Sequence, residues 1–144
     1  MPLPILLLED QCDIAETLAE VLAGEGYQVT VATDTESALR SLGTGPFALV
    51  LADFLCGAPE HSEEMAWRLL DAAGPIPVGC ITGWRIPERL SLAYSFVLKK
   101  PFVLDELIEM VGRLTAPPLE REAPVPRLFE AAYVGTAETF SGIE

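Results

Sequence analysis

Five side chains in this 144-residue sequence have types and positions suited to phosphoryl chemistry: Glu9, Asp10, Asp53, Thr82 and Lys100. Each stands within two residues of the end of a short apolar run. Carboxylates brought together repel, by about 4 kcal/mol per pair at about 4 Å for an effective dielectric of about 20. Such a group either holds a proton or recruits a divalent cation. Mg²⁺ is the natural choice, because it accepts one or two carboxylates plus phosphate oxygens and keeps several waters. A carboxylate is also a nucleophile toward phosphorus and forms an aspartyl phosphate. That transfer requires positioning and charge neutralisation by a metal, an ammonium and a hydroxyl, and all of these types are present. Polar residues at strand ends are common one at a time. Five of complementary chemistry, in this order, form a coherent set.

The elements that must position them follow from the pattern. Ile5 to Leu8 is a continuous apolar run stopped by Glu9-Asp10, as in a strand buried on both faces. Asp13-Ile14-Ala15-Glu16 has the form of a capping box, and Ile14, Leu18, Val21 and Leu22 recur at helical spacing up to Gly24 and Gly26. Tyr27 to Val31 alternates as a strand, and Thr35 to Leu42 is a helix closed by Gly43 and Gly45. Phe47 to Ala52 is a second doubly buried strand, halted at Asp53. Ser62 caps a helix running to Ala73 with Met65, Ala66, Leu69 and Leu70 inward. Pro77 to Ile81 is a fourth strand that stops at Thr82. A short helix over 87–93 follows, then Phe96-Val97-Leu98 as the fifth strand, ended by Lys99-Lys100-Pro101. The last helix, Leu104 to Leu114, aligns Leu104, Leu107, Ile108 and Val111. Strands alternating with helices predict an α/β fold: a five-stranded parallel sheet, doubly wound, with right-handed crossovers. Ligands of such a sheet collect beyond the carboxyl ends of its strands, where the five side chains stand.

Composition narrows the function. Nine basic residues against 22 acidic ones give a formal charge of −13, which disfavours phosphate polyanions and anionic lipid as direct partners. Half the residues are apolar, against wholesale disorder. Cys12, Cys56 and Cys80 form no CxxC pair, which suits a reducing, cytoplasmic setting. The N-terminal run lacks the basic region and cleavage site of a signal peptide and is too short to span a bilayer. Residues 1–115 are expected to form one domain. Residues 116–144 are a Pro-rich extension with no further strand–helix unit, in which Arg127 to Tyr133 could make a short docking element.

Taken in order at the ends of the first, third, fourth and fifth strands, Glu9-Asp10, Asp53, Thr82-Gly83 and Lys100-Pro101-Phe102 resemble the receiver domain of two-component response regulators, a flavodoxin-like fold. The resemblance covers about residues 3–115. It implies that Asp53 is the phosphoacceptor, with Glu9 and Asp10 as the acidic pair. Asp10, Asp53 and the Leu55 backbone carbonyl would be direct Mg²⁺ ligands, Thr82 would follow the phosphoryl group, and Lys100 would pair with it. It also implies a cis Lys100–Pro101 peptide. The chain would then be a stand-alone phosphoacceptor and not an enzyme with a separate substrate. A histidine kinase or histidine phosphotransfer protein would supply the phosphate, and output would pass through a downstream protein target or a second copy. Nucleic acid and membrane are not expected partners.

Three positions depart from that family's pattern. Val97 stands three residues before the lysine, where the family carries an aromatic switch residue, with Phe96 one place away. The stretch from Thr82 to Lys100 is short, so its helix should be stunted. The loop after Asp53 has Gly57-Ala58-Pro59 but no later glycine. One alternative is therefore a receiver-like docking or dimerisation module that works without phosphorylation. A metal-dependent phosphotransferase or nuclease would need a second acid where Asp53-Phe54-Leu55 has none, and a flavin-type binder would need a phosphate-cradling loop. His61 and Cys56 carry no supporting neighbours, Trp67 reads as packing, and Trp84 either covers the rim or meets a partner, or is ordinary half-buried packing.

Overall fold

A computed structural model of the chain describes residues 2–54 and 62–116. Five strand–helix units follow one another: β1 (Pro4–Leu8), α1 (Cys12–Gly24), β2 (Gln28–Ala32), α2 (Thr35–Thr44), β3 (Leu49–Asp53), α3 (Ser62–Ala73), β4 (Val78–Thr82), α4 (Glu88–Ala93), β5 (Phe96–Lys99) and α5 (Leu104–Thr115). The strands form one parallel sheet in the order β2-β1-β3-β4-β5. This bears out the doubly wound α/β reading, with element ends shifted by one or two residues. The strand order reverses between β1 and β3, and a crevice opens there.

The continuous apolar runs are explained by burial on both faces. In β1, Leu6 and Leu8 face one way and join Val50, Ala52, Val78 and Cys80 of the neighbouring strands. Ala38 of α2, Ala66 and Leu69 of α3 and Leu90 of α4 close that layer. Ile5 and Leu7 face the other way, with Leu49, Leu51, Ile81, Phe96 and Leu98 under Leu18 and Leu22 of α1 and Leu107, Met110 and Val111 of α5. The edge strand β2 is less covered, and Val31 is exposed.

Gly79 and Phe96 are register partners on adjacent strands, and the Phe96 ring fills the space that a Cβ on Gly79 would take. A glycine interrupts an otherwise apolar strand because the ring needs the room. Phe96 therefore belongs to the layer of α1 and α5, while the side chain of Val97 packs on the opposite layer. Phe96 does not substitute for the aromatic missing at position 97.

Some sequence expectations need correcting. The capping box at Asp13 does not form: α1 begins at Cys12 after Gln11, which gives no side-chain cap, and Asp13 lies in the first turn. The physical cause is upstream. Glu9 is buried and draws the Gln11 amide onto its carboxylate at 3.2 Å, which sets where the helix starts. Gly43 does not end α2, which continues to Thr44 before the extended Gly45. Ser62 is the first residue of α3 and not a residue outside it. Leu104 does not join the core; it is exposed beside Val103 at the start of α5, where the rim of the sheet gives it nothing to cover. The helix between β4 and β5 is short as expected, with six residues.

Candidate functional site

Beyond the ends of β1 and β3, Glu9, Asp10 and Asp53 come together so that one carboxylate oxygen of each lies within 4.8 Å of the others. Parallel register places them: Leu8 of β1 pairs with Ala52 of β3, so the next residues, Glu9 and Asp53, emerge side by side. Their surroundings differ. Glu9 is buried, Asp53 is half-buried and Asp10 is exposed. Such a graded set keeps one face open to solvent and to an incoming group.

Lys100 supplies the opposite charge. Its Nζ lies 3.5 Å from Glu9 Oε1 and 3.7 Å from Asp53 Oδ2. The side chain is held there by β5 and by a backbone hydrogen bond in which the Lys100 amide donates to the Thr82 carbonyl at 2.8 Å. The Lys100–Pro101 peptide is cis, as the resemblance implied.

Burial pushes the Glu9 carboxyl above its ordinary value, since the charged form loses water. The Gln11 amide opposes this, the Asp53 charge adds to it, and Lys100 draws it down. One lysine thus faces more than one carboxylate. Hard oxygen donors in excess over cations are the chemistry of a Mg²⁺ site, and the cluster of Glu9, Asp10 and Asp53 fits that ion.

Thr82 ends β4 and is buried. Its hydroxyl accepts from the Trp84 amide at 2.9 Å and is placed to donate to the Trp84 carbonyl at 3.2 Å. Sequence reasoning put Thr82 on the rim but missed this hold on the following loop, although a Thr two residues before an amide is the usual signal for such a turn. The Trp84 side chain itself is 64% exposed. Trp67 packs partly buried against the α3 side, as read from sequence. Leu55, Cys56 and His61 lie outside the described residues, so the carbonyl ligand expected at Leu55 does too.

Tyr94 was not singled out in the sequence. It directly follows α4 and is buried, with its side chain beside that of Cys80, two residues before Thr82. Burial pushes Cys80 up to about 12, which keeps it a protonated core residue.

The chain is similar to solved response regulator receiver structures. The response regulator protein TrrA of Thermotoga maritima, solved in complex with Mg²⁺-BeF, superposes with a TM-score of 0.70 at 28% identity, over 79% of this chain and 99% of that one. The chain belongs to the response regulator receiver family. A CheY-like receiver domain from Methanospirillum hungatei shares the fold at a TM-score of 0.74 and 22% identity, over 85% of this chain and 100% of that one. Among curated relatives, the transcriptional regulatory protein DltR of Streptococcus agalactiae is 30% identical over 112 residues, 74% of this chain and 49% of that protein. The DNA-binding transcriptional regulator NtrC of Bradyrhizobium is 31% identical over 124 residues, 81% of this chain and 25% of that protein. The receiver therefore spans about half of the first relative and a quarter of the second. No family model matches the chain. Among the described residues, no helix is long and apolar enough to cross a membrane.

Proposed function

We propose that Asp53 accepts a phosphoryl group from the histidine of a kinase or phosphotransfer protein, and that the chain signals through protein–protein contacts. The observation that carries this reading is the convergence of three carboxylates within 4.8 Å, with the Lys100 ammonium 3.7 Å from Asp53. Asp53 is the half-buried acid between a buried one and an exposed one, so its oxygen is desolvated enough to attack yet reachable. Asp10, Asp53 and the Leu55 carbonyl would hold Mg²⁺, which, when bound, screens negative charge between the carboxylates and the phosphoryl oxygens. Glu9 would remain behind them, its charge anchored by the Gln11 amide. Lys100 offsets the charge gained at Asp53. Thr82 leaves the Trp84 backbone and donates its hydroxyl to a phosphoryl oxygen.

The formal charge of −13 supports an output of this domain other than direct DNA contact. In this reading the receiver acts in the cytoplasm. The test is intact-mass analysis after treatment with Mg²⁺ and acetyl phosphate. The parent should gain one phosphoryl group and Asp53→Asn none. Equal labelling of both would overturn the assignment of Asp53.

One observation favours a second reading, in which the domain docks on partners without phosphorylation. The side chain at position 97 is Val, so the customary aromatic link between site and surface is missing. A Mg²⁺ titration separates the two: absence of binding at millimolar concentrations would favour docking alone.

A further inference from the structure

At the base of the sheet, opposite the carboxylate rim, lies a cavity of about 400 Å³. Leu70 from the end of α3, Pro75 and Ile76 from the loop that follows, Ala93 from the end of α4 and Leu114 from the end of α5 contribute to its walls. None of its lining residues is charged, and the exposed lining is polar as well as apolar, with Ser95 among its residues. A purely apolar occupant would strip water from the polar part of that lining without replacing it, which costs free energy. A peptide segment brings both apolar side chains and its own amide and carbonyl groups.

The path of the chain supplies the second observation. Leu114 lines this cavity, and the described chain ends two residues later at Ala116, in an extended conformation. The sequence continues with Pro117-Pro118 and reaches Arg127 to Tyr133. There, Leu128 and Ala132, and Phe129 and Tyr133, are spaced four apart, the spacing that aligns side chains on one helical face. At about 3.1 Å per residue, the Pro-rich spacer spans roughly 30 Å, ample to return to a cavity beside its own exit point. Such a tether sets an effective concentration in the millimolar range. A second copy would first have to overcome the mutual repulsion of two chains of formal charge −13.

We propose that this cavity is the docking site for the chain's own segment Arg127 to Tyr133, with Leu128 and Phe129 entering it. Docking would tie the ends of α3, α4 and α5 together on the side away from Asp53, independently of the phosphorylation reading above.

Nuclear Overhauser contacts in the methyl-labelled full chain test it. Contacts are expected from the Phe129 ring to the methyls of Ile76 and Leu114. Leu128→Asp in the segment and Ala93→Arg at an exposed position of the cavity wall should each abolish them and shift the same methyl resonances. The contacts should persist unchanged when labelled chains are diluted with unlabelled ones. Their absence in the parent, or their survival in Ala93→Arg, would overturn the proposal. Contacts between labelled and unlabelled copies would overturn it equally, in favour of a second copy as the occupant.

Discussion

The Thr82 hydroxyl is bound to the backbone of Trp84: the Trp84 amide donates to it at 2.9 Å, and it can donate to the Trp84 carbonyl at 3.2 Å. If Thr82 turns to a phosphoryl oxygen on Asp53, the Trp84 amide loses its acceptor and the loop must adjust. The indole is exposed, so its emission reports that adjustment. Mg²⁺ with beryllofluoride should change the emission, and the change should survive Trp67→Phe. Thr82→Ala should abolish most of it and cost about 1 kcal/mol of stability for the lost hydrogen bonds. An unaltered response in Thr82→Ala would show that the loop moves for another reason.

Much of this arrangement was legible because buried parallel strands leave a plain signature. Runs such as Ile5 to Leu8 cannot be placed anywhere but between two helical layers, and a charged residue directly after such a run can only emerge at the rim. Register then brings Glu9 and Asp53 together without further information. What stayed hidden depends on side-chain torsions and competition between local partners. The start of α1 was misplaced because Asp13-x-x-Glu16 satisfies a local capping rule, whereas the Gln11 amide serves the buried Glu9 instead. Leu104 fits a helical stripe by spacing, yet it lies where the stripe runs past the edge of the core. The role of Tyr94 was invisible because its partner, Cys80, is on a different strand–helix unit.

The contact of Gly79 with Phe96 predicts a steric effect of defined sign. Gly79→Ala should destabilise by about 1–3 kcal/mol, because the Cβ would meet the ring in a core that cannot yield. Phe96→Leu alone should also destabilise, through lost volume. The double variant should be more stable than the sum of the two singles, since the smaller side chain clears the space. Denaturant unfolding of the four proteins gives the coupling directly. Simple additivity would mean that ring and glycine do not share that space.

Helix α2 predicts a pH effect. Asp34 precedes it in an extended conformation and accepts from the Ser37 amide at 2.8 Å and the Ser37 hydroxyl at 2.7 Å. These bonds favour the charged form and hold its carboxyl below the ordinary 3.8. A depressed folded-state value contributes stability above pH 3.8 that is lost as pH falls through the folded value. Asp34→Ala should therefore be less stable than the parent at neutral pH, with the difference shrinking in acid. Asp34→Asn, which keeps an accepting oxygen, should show a smaller deficit without that acid dependence. Melting curves across the acid range provide the comparison.

Glu9 predicts the opposite sign. Burial raises its folded-state value above 4.5, so its contribution to stability is fully present below pH 4.5 and is lost as pH rises through the folded value. At neutral pH the metal-free protein carries a buried carboxylate that Lys100, shared with Asp53, offsets only in part. Mg²⁺ at the cluster would relieve this charge, and saturation at a hundredfold over its dissociation constant adds about 2.7 kcal/mol. The stabilisation by Mg²⁺ should therefore be larger at neutral than at mildly acidic pH, where protons compete for the same oxygens. Glu9→Gln should make the metal-free protein more stable at neutral pH while reducing the gain from Mg²⁺. Thermal unfolding of parent and variant, with and without Mg²⁺ at the two pH values, decides it. A Mg²⁺ effect that is independent of pH and unchanged in Glu9→Gln would remove Glu9 from the electrostatics of the site.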